Sequence, residues 1–199
     1  MNQLSKSLAD KFKTKRTYRK FTQKVVLKET IENCIKVALR APSGANQQPW
    51  TFCVVSDDSL KQKIRQFSED EEKKFYEKES LSEWHQELEH LNVNTDKPFL
   101  TEATYLICIF YHKVTKEGKT TYYASKSTGI ASGMLISALH LVGLNSVTYT
   151  PQNMKFLHTV LKRPDHEAPY LILAVGEKDI NYELPDITKK PINETIIYY

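Results

Sequence analysis

Long apolar runs are missing from this chain of 199 residues. No stretch approaches the roughly 18–20 apolar residues that cross a bilayer, so no membrane partner is expected. Cysteine is scarce. Cys34, Cys53 and Cys108 lie far apart among Ile, Val and Phe, without a CxxC pair. An odd, dispersed set excludes a disulfide framework and reads as reduced core thiols of a cytoplasmic protein. Glycine is also sparse, and its six residues are too dispersed for a GxGxxG fingerprint or a P-loop. Ser43 stands in "PSG", not in the GxSxG elbow of a hydrolase. The six histidines show no HExxH or paired-ligand spacing, so no metal is expected. With neither a metal nor a nucleophilic triad in view, any catalytic reactivity has to come from a cofactor.

What the chain does contain is ordinary for a globular protein: 40% hydrophobic and 26% charged residues, with a net charge of +4. The sign is unevenly spread. Lys6, Lys11, Lys13, Lys15, Arg16, Arg19 and Lys20 face only Asp10 in the first twenty residues, whereas "EDEEKKFYEKESLSEWHQELEH" (69–90) is acidic. The start, "MNQLSKSLADKFKTKR", alternates charge with isolated apolar residues and reads as neither signal peptide nor anchor. A basic start can touch nucleic acid, but no zinc-finger, helix-turn-helix or RNP pattern accompanies it, so no nucleic-acid partner is expected. A basic binding protein using residues 1–20 is the non-enzymatic alternative.

Periodicity divides the rest. Leu27, Ile31, Cys34, Ile35, Ala38 and Leu39 share one helical face, which ends at Pro42 and Gly44. "WTFCVV" reads as a buried strand and "DDSLKQKIRQF" as a capped helix with Leu60, Ile64 and Phe67 aligned. Residues 69–98 are too polar to bury much and read as a mobile helical excursion. "TYLICIFYHK", "NSVTYT" and "YLILAVG" are strands, "YASKSTGIASGMLISALHLVGL" is the strongest helix, and Pro151 starts a further helical pattern. The tally is about four or five strands and about five or six helices without strict alternation. That predicts a single α+β domain over 1–199, with helices packed around a central mixed sheet. The apolar tail end "IIYY" needs a surface, which favours a homodimer in which residues 178–199 wrap the partner; a frayed terminus is the plain alternative. Gly129 and Gly133, one turn apart in the strongest helix, each cost roughly 1 kcal/mol relative to alanine. They fit either the approach of another backbone or a flat ligand, or close packing within the subunit.

Three separated stretches, "KRTYRKF" (15–21), "APSGANQQPW" (41–50) and "TYTP" (148–151), together resemble the flavin-binding segments of the nitroreductase superfamily, whose members bind FMN at a dimer interface. Within it the pattern is most similar to the iodotyrosine deiodinases, which share "APSGA", "PWTF", the "TP" element, "RPxHE" (Arg163–Glu167) and "PD…KP" (Pro185, Asp186, Lys190, Pro191). The resemblance runs from about Lys15 to Pro191. It implies a nitroreductase-like fold, with FMN contacts from Lys15, Arg16, Thr17, Arg19, Pro42, Ser43, Gly44, Thr148, Tyr149, Thr150 and Lys189. Thr150 is placed within reach of flavin N5, suited to stepwise carbon–halogen reduction. The backbone N–H of Ala45 is placed to face a phenolate oxygen. The acidic insertion, about 69–98, implies a lid: Glu72 and Tyr76, at i and i+4 on one helix face, with Lys97 and Trp84, match the family's substrate residues. Glu72 accepts from an ammonium, while Lys97 and Tyr76 donate to a carboxylate.

The expected activity is therefore FMN-dependent reductive dehalogenation of halotyrosines, with NAD(P)H or a partner reductase as the ultimate electron source. A broad NAD(P)H-dependent nitro- or quinone reductase is the alternative. Three departures from the animal pattern stand out: Lys15 and Lys189 replace arginine, Tyr149 replaces a smaller residue, and "NQQ" (46–48) differs.

Overall fold

The computed structural model describes residues 1–78 and 94–199. Its frame is a four-stranded sheet in the order β1-β2-β4-β3, formed by Trp50–Val55 (β1), Tyr105–His112 (β2), Asn145–Tyr149 (β3) and Glu167–Gly176 (β4). All three pairings are antiparallel, so the expectation of a mixed sheet is corrected. Periodicity shows that a segment is extended but not which neighbour it pairs with. The parallel contact that does occur is an isolated bridge between Thr17 and Ser146.

Side chains alternate across a strand, so each of the two central strands serves two cores. Leu106, Cys108 and Phe110 of β2 join Ile172 and Ala174 of β4 on one face, against α3 (Asp58–Lys78), the single turn α4 (Phe99–Glu102) and α6 (Phe156–Val160). Ile107 and Ile109 join Leu171, Leu173 and Val175 on the other, against α2 (Lys28–Ala38) and α5 (Ala124–Leu141). Coverage on both faces explains why "YLICIF" and "LILAVG" are continuous apolar runs rather than alternating ones. Each fully buried Leu or Ile contributes roughly 1.5–3 kcal/mol relative to exposure. The edge strand β1 buries only Trp50 and Val55, less than its composition suggested.

The register slips between Ile109 and Phe110, leaving Tyr170 as the extra residue of a bulge beside Pro169. The Tyr170 hydroxyl meets α5 where a Cβ on Gly129 would lie 2.7 Å away, whereas among the described residues nothing comes within 4 Å of a Cβ on Gly133. Close packing within the subunit therefore accounts for the first glycine of the pair.

Helix α1 (Asn2–Lys13) has no counterpart in the sequence reading. It buries none of its residues, and Leu4 and Leu8, four apart, are exposed. The pattern read from Pro151 becomes the short α6, which starts only at Phe156. At the other end, the chain leaving β4 runs back along residues 16–22. Thr22 donates to the Glu177 carbonyl and Asp179 to that of Lys20, and the Arg16 guanidinium donates to the Pro185 carbonyl. From Thr188 onward every residue is exposed. No helix among the described residues is long and apolar enough to cross a membrane.

Candidate active site

Beyond the β3 edge the sheet opens into a cleft of about 390 Å³, within the range of small-molecule sites. Three elements meet there. Helix α3 continues unbroken to Lys78, so residues 69–78 extend the helix that begins at Asp58 and carry Glu72 and Tyr76 into the cleft. Lys97 reaches it from the turn before α4, and Thr148, Tyr149 and Thr150 from the end of β3, beside Arg19.

The acidic and basic groups expected to grip an amino acid end grip each other. Lys97 Nζ lies 3.2 Å from Glu72 Oε2, with both side chains largely buried. Lys97 also donates to the Asn94 carbonyl, and its own backbone N–H donates to Glu69 Oε1 at 2.8 Å. Glu69 in turn is held by Arg65 at 2.6 Å, and the same guanidinium reaches Asp96. The turn presenting Lys97 is thus laced to α3 by charge-assisted bonds, which are roughly twice as strong as neutral ones. Burial pushes the Lys97 ammonium below its usual range against the pull of Glu72, and Arg19 adds to the depression. Burial and then the Glu72 charge raise the Tyr76 phenol.

Tyr149 was expected among the flavin contacts. Its side chain instead points, with Val147, toward α3, and its hydroxyl donates to Glu72 Oε1 at 3.0 Å. Burial, followed by the Glu72 charge, pushes this phenol far above its ordinary range. The only hint in the sequence was a bulky phenol between two threonines.

Thr148 and Thr150 face the other way and are exposed. The cationic stretch runs alongside: Thr17 bridges Ser146 of β3, and Lys15 is partly buried with its ammonium depressed by burial and by the nearby Lys189 charge. Two cations brought together, with Arg19 and the threonine hydroxyls a short way on, form a donor set suited to a phosphate and the polar edge of a ring system. That chemistry fits FMN.

Pro42, Ser43, Gly44 and Ala45 are not brought to this cleft. They precede β1, on the opposite edge of the sheet from β3, three strand spacings or roughly 14 Å away. The loop rests on residues preceding α5. A Cβ on Gly44 would come within 3.1 Å of the Tyr122 carbonyl oxygen and 3.3 Å of the Tyr123 ring, and Tyr122 N–H donates to the Gln47 side chain. Ala45, Asn46 and Gln48 all adopt positive φ, near +50°. Each such non-glycine residue costs on the order of 1–3 kcal/mol. Ala45 is exposed, while Ser43 Oγ accepts from the Gln48 backbone at 3.0 Å. Trp84 and the remainder of the acidic insertion, 79–93, lie outside the described residues.

The "RPxHE" stretch has a different role. Glu167, at 2% exposure, accepts two bonds from Arg163, at 2.8 and 2.6 Å, and one from Thr51 at 2.8 Å. This ties β1 to the start of β4 just behind the Ser43 loop. Burial works to raise its carboxyl, but the bonds from Arg163 and Thr51 outweigh it and hold the group below the usual carboxylate range.

Residues 12–177 match the profile of the Nitroreductase family, and the chain belongs to that family. Among its relatives are iodotyrosine deiodinases. That of Haliscomenobacter hydrossis is 40% identical over 189 residues, spanning 93% of this chain and 85% of the relative. That of Nematostella vectensis is 36% identical, spanning 99% and 76%. A crystal structure of oxidized iodotyrosine deiodinase bound to FMN and 3-iodo-L-tyrosine superimposes with a TM-score of 0.84 at 36% identity, covering 96% of this chain and 98% of that one. A BluB-like flavoprotein from Clostridium difficile 630, at 22% identity and a TM-score of 0.75, shares the fold.

Proposed function

We propose that this protein is an FMN-dependent oxidoreductase that reductively removes halide from 3-halotyrosines, iodotyrosine foremost. The observation that carries the reading is the convergence of Glu72, Tyr76 and Lys97 in one cleft with Arg19, Thr148 and Thr150. A carboxylate and an ammonium 3.2 Å apart are the complement of a free amino acid's own two charges. On ligand entry Glu72 takes the substrate ammonium, and Lys97 with the Tyr76 hydroxyl takes its carboxylate. Each charge-assisted bond contributes roughly 1.5–3 kcal/mol. Bound FMN would supply two electrons. On the substrate, the carbon–iodine bond is replaced by a carbon–hydrogen bond with uptake of one proton, and iodide leaves. Lys15, Arg16, Arg19 and Lys189 would hold the phosphate, and Thr150 would donate a hydroxyl toward the ring.

The same reading makes the protein a homodimer. The Ser43–Ala45 loop stands at the wrong edge of the sheet for its own chain's cleft, so a second copy supplies it, and with it the Ala45 N–H aimed at the substrate phenolate. The exposed residues beyond Thr188, which include Ile192, Ile197 and Tyr198, and the unpartnered Leu4 and Leu8 suit such an interface. Electrons reach the cofactor from NAD(P)H or a partner reductase, and cytoplasmic cysteine usage agrees with that supply.

The test is anaerobic. Chemically reduced holoprotein mixed with 3-iodo-L-tyrosine is expected to release one iodide per flavin reoxidised. Flavin that stays reduced with iodotyrosine, yet reoxidises with nitroaromatics or quinones, would replace this reading with that of a broad nitro- or quinone reductase.

A further inference from the structure

We propose that Tyr149 is a positioning residue for amino acid recognition: its hydroxyl keeps the Glu72 carboxylate in place while Lys97 transfers from Glu72 to the carboxylate of the incoming ligand. This rests on the halotyrosine reading above and extends it.

Glu72 sits on α3 at the end of a flexible side chain whose ordering costs roughly 1.5–2 kcal/mol. Among the described residues of the ligand-free chain two groups bond it. Lys97 holds Oε2 at 3.2 Å and the Tyr149 hydroxyl holds Oε1 at 3.0 Å. The two anchors differ in what a zwitterion does to them. The ligand carboxylate draws the Lys97 ammonium to itself, and the ligand ammonium occupies the carboxylate edge that Lys97 leaves. Tyr149 is not asked to move. Its ring packs edge-on against Phe99, with centroids 5.5 Å apart, and it is 9% exposed at the end of a sheet strand. The Lys97 ammonium lies 5.7 Å from the centre of the same ring. One residue therefore touches both charged partners, while its ring is held in place by Phe99 and the strand.

Once Lys97 has turned away, Tyr149 is the anchor of the ligand-free pair that still aims Glu72. Its hydroxyl is worth more with ligand bound than without, and only such a difference changes affinity. The phenol is neutral, so it orients the carboxylate without competing for the ligand's charge.

Tyr149→Phe removes the hydroxyl and keeps the ring. On oxidised, FMN-loaded protein, flavin fluorescence titrated with 3-iodo-L-tyrosine is expected to show about five- to tenfold weaker binding, less than the full worth of a hydrogen bond to a charged group because the same bond is already made before ligand enters. Binding of 2-iodophenol, which has no charged end and leaves Glu72 with Lys97, is expected to stay within about twofold. In a Glu72→Gln background the Tyr149→Phe effect is expected to shrink, because the two groups act as one unit. A variant that binds iodotyrosine like the parent overturns the assignment. So does one that loses iodotyrosine and iodophenol equally, which marks a structural role, or one whose loss is undiminished beside Glu72→Gln. A parent protein that holds FMN but does not bind iodotyrosine overturns the halotyrosine reading itself, and this proposal with it.

Discussion

The edges of the sheet at β3 and at β1 carry the two groups of residues assigned to one site, and they are made in opposite ways. At β3, Glu72, Lys97 and Tyr149 are buried and bonded to one another, and the turn behind them is tied through Glu69, Arg65 and Asp96. At β1, Ser43 to Gln48 form a partly exposed loop with three non-glycine residues at positive φ, all three exposed, supported from behind by the Thr51–Glu167–Arg163 network. One edge satisfies its own charges. The other carries backbone strain that its own chain leaves at the surface. On the proposed reading, the difference teaches that a single copy assembles the part that recognises an amino acid but only offers, outward, the part that faces the ring.

The sharpest way to break this comparison is complementation. Lys97→Ala damages the β3 edge, and Gly44→Val forces the β1 loop against Tyr122 and Tyr123. A misplacement near 1 Å costs about a hundredfold in rate, so each variant alone is expected to be nearly inactive. Unfolding and refolding the two together should return about a quarter of the parental iodide release, because half of the dimers then hold one intact site. No recovery in verified mixed dimers would mean that both edges serve the same chain's cleft. A smaller effect isolates the β3 edge: Lys97→Ala or Glu72→Gln should weaken iodotyrosine at least about tenfold, equivalent to about 1.4 kcal/mol, with FMN affinity unchanged. Iodotyrosine binding unaltered in both would remove the assignment.

The smallest effect isolates the β1 edge. The Glu167 carboxyl is held below its ordinary 4.5 in the folded chain. Its contribution to stability is therefore complete above pH 4.5 and lost as pH falls through the lower folded value. Glu167→Gln should cost about 1 kcal/mol at neutral pH and flatten the acid side of the stability profile, read by denaturant melts from pH 7 to 3. Parallel profiles for the two proteins would show that this carboxylate does not brace the loop's root.

Much of this was legible in the residues. The runs "YLICIF" and "LILAVG" announce central strands because both sheet faces are covered, and the i, i+4 spacing of Glu72 and Tyr76 places them on one face of α3. Other parts were not. Helix α1 has no fully buried residue and meets its own chain at its end, where the Phe12 ring packs on His140, so its exposed Leu4 and Leu8 give no signal of a core. The antiparallel order β1-β2-β4-β3, which separates the Ser43 loop from Thr150, depends on pairings that no local pattern encodes. Tyr149 looked like a cofactor contact because it stands between two threonines expected to be such contacts. Strand alternation sends its side chain the other way.

The pairing of Lys97 with Glu72 has a consequence for which molecules can enter. The resting cleft already contains an internal imitation of its ligand, so admission is a substitution in which two opposite charges are traded for two. A halogenated phenol bearing no charge has nothing to trade, and one bearing a single charge strands a buried partner. On this reading the filter that keeps the chemistry from spreading to unrelated aryl halides lies at the end of the molecule farthest from the halogen.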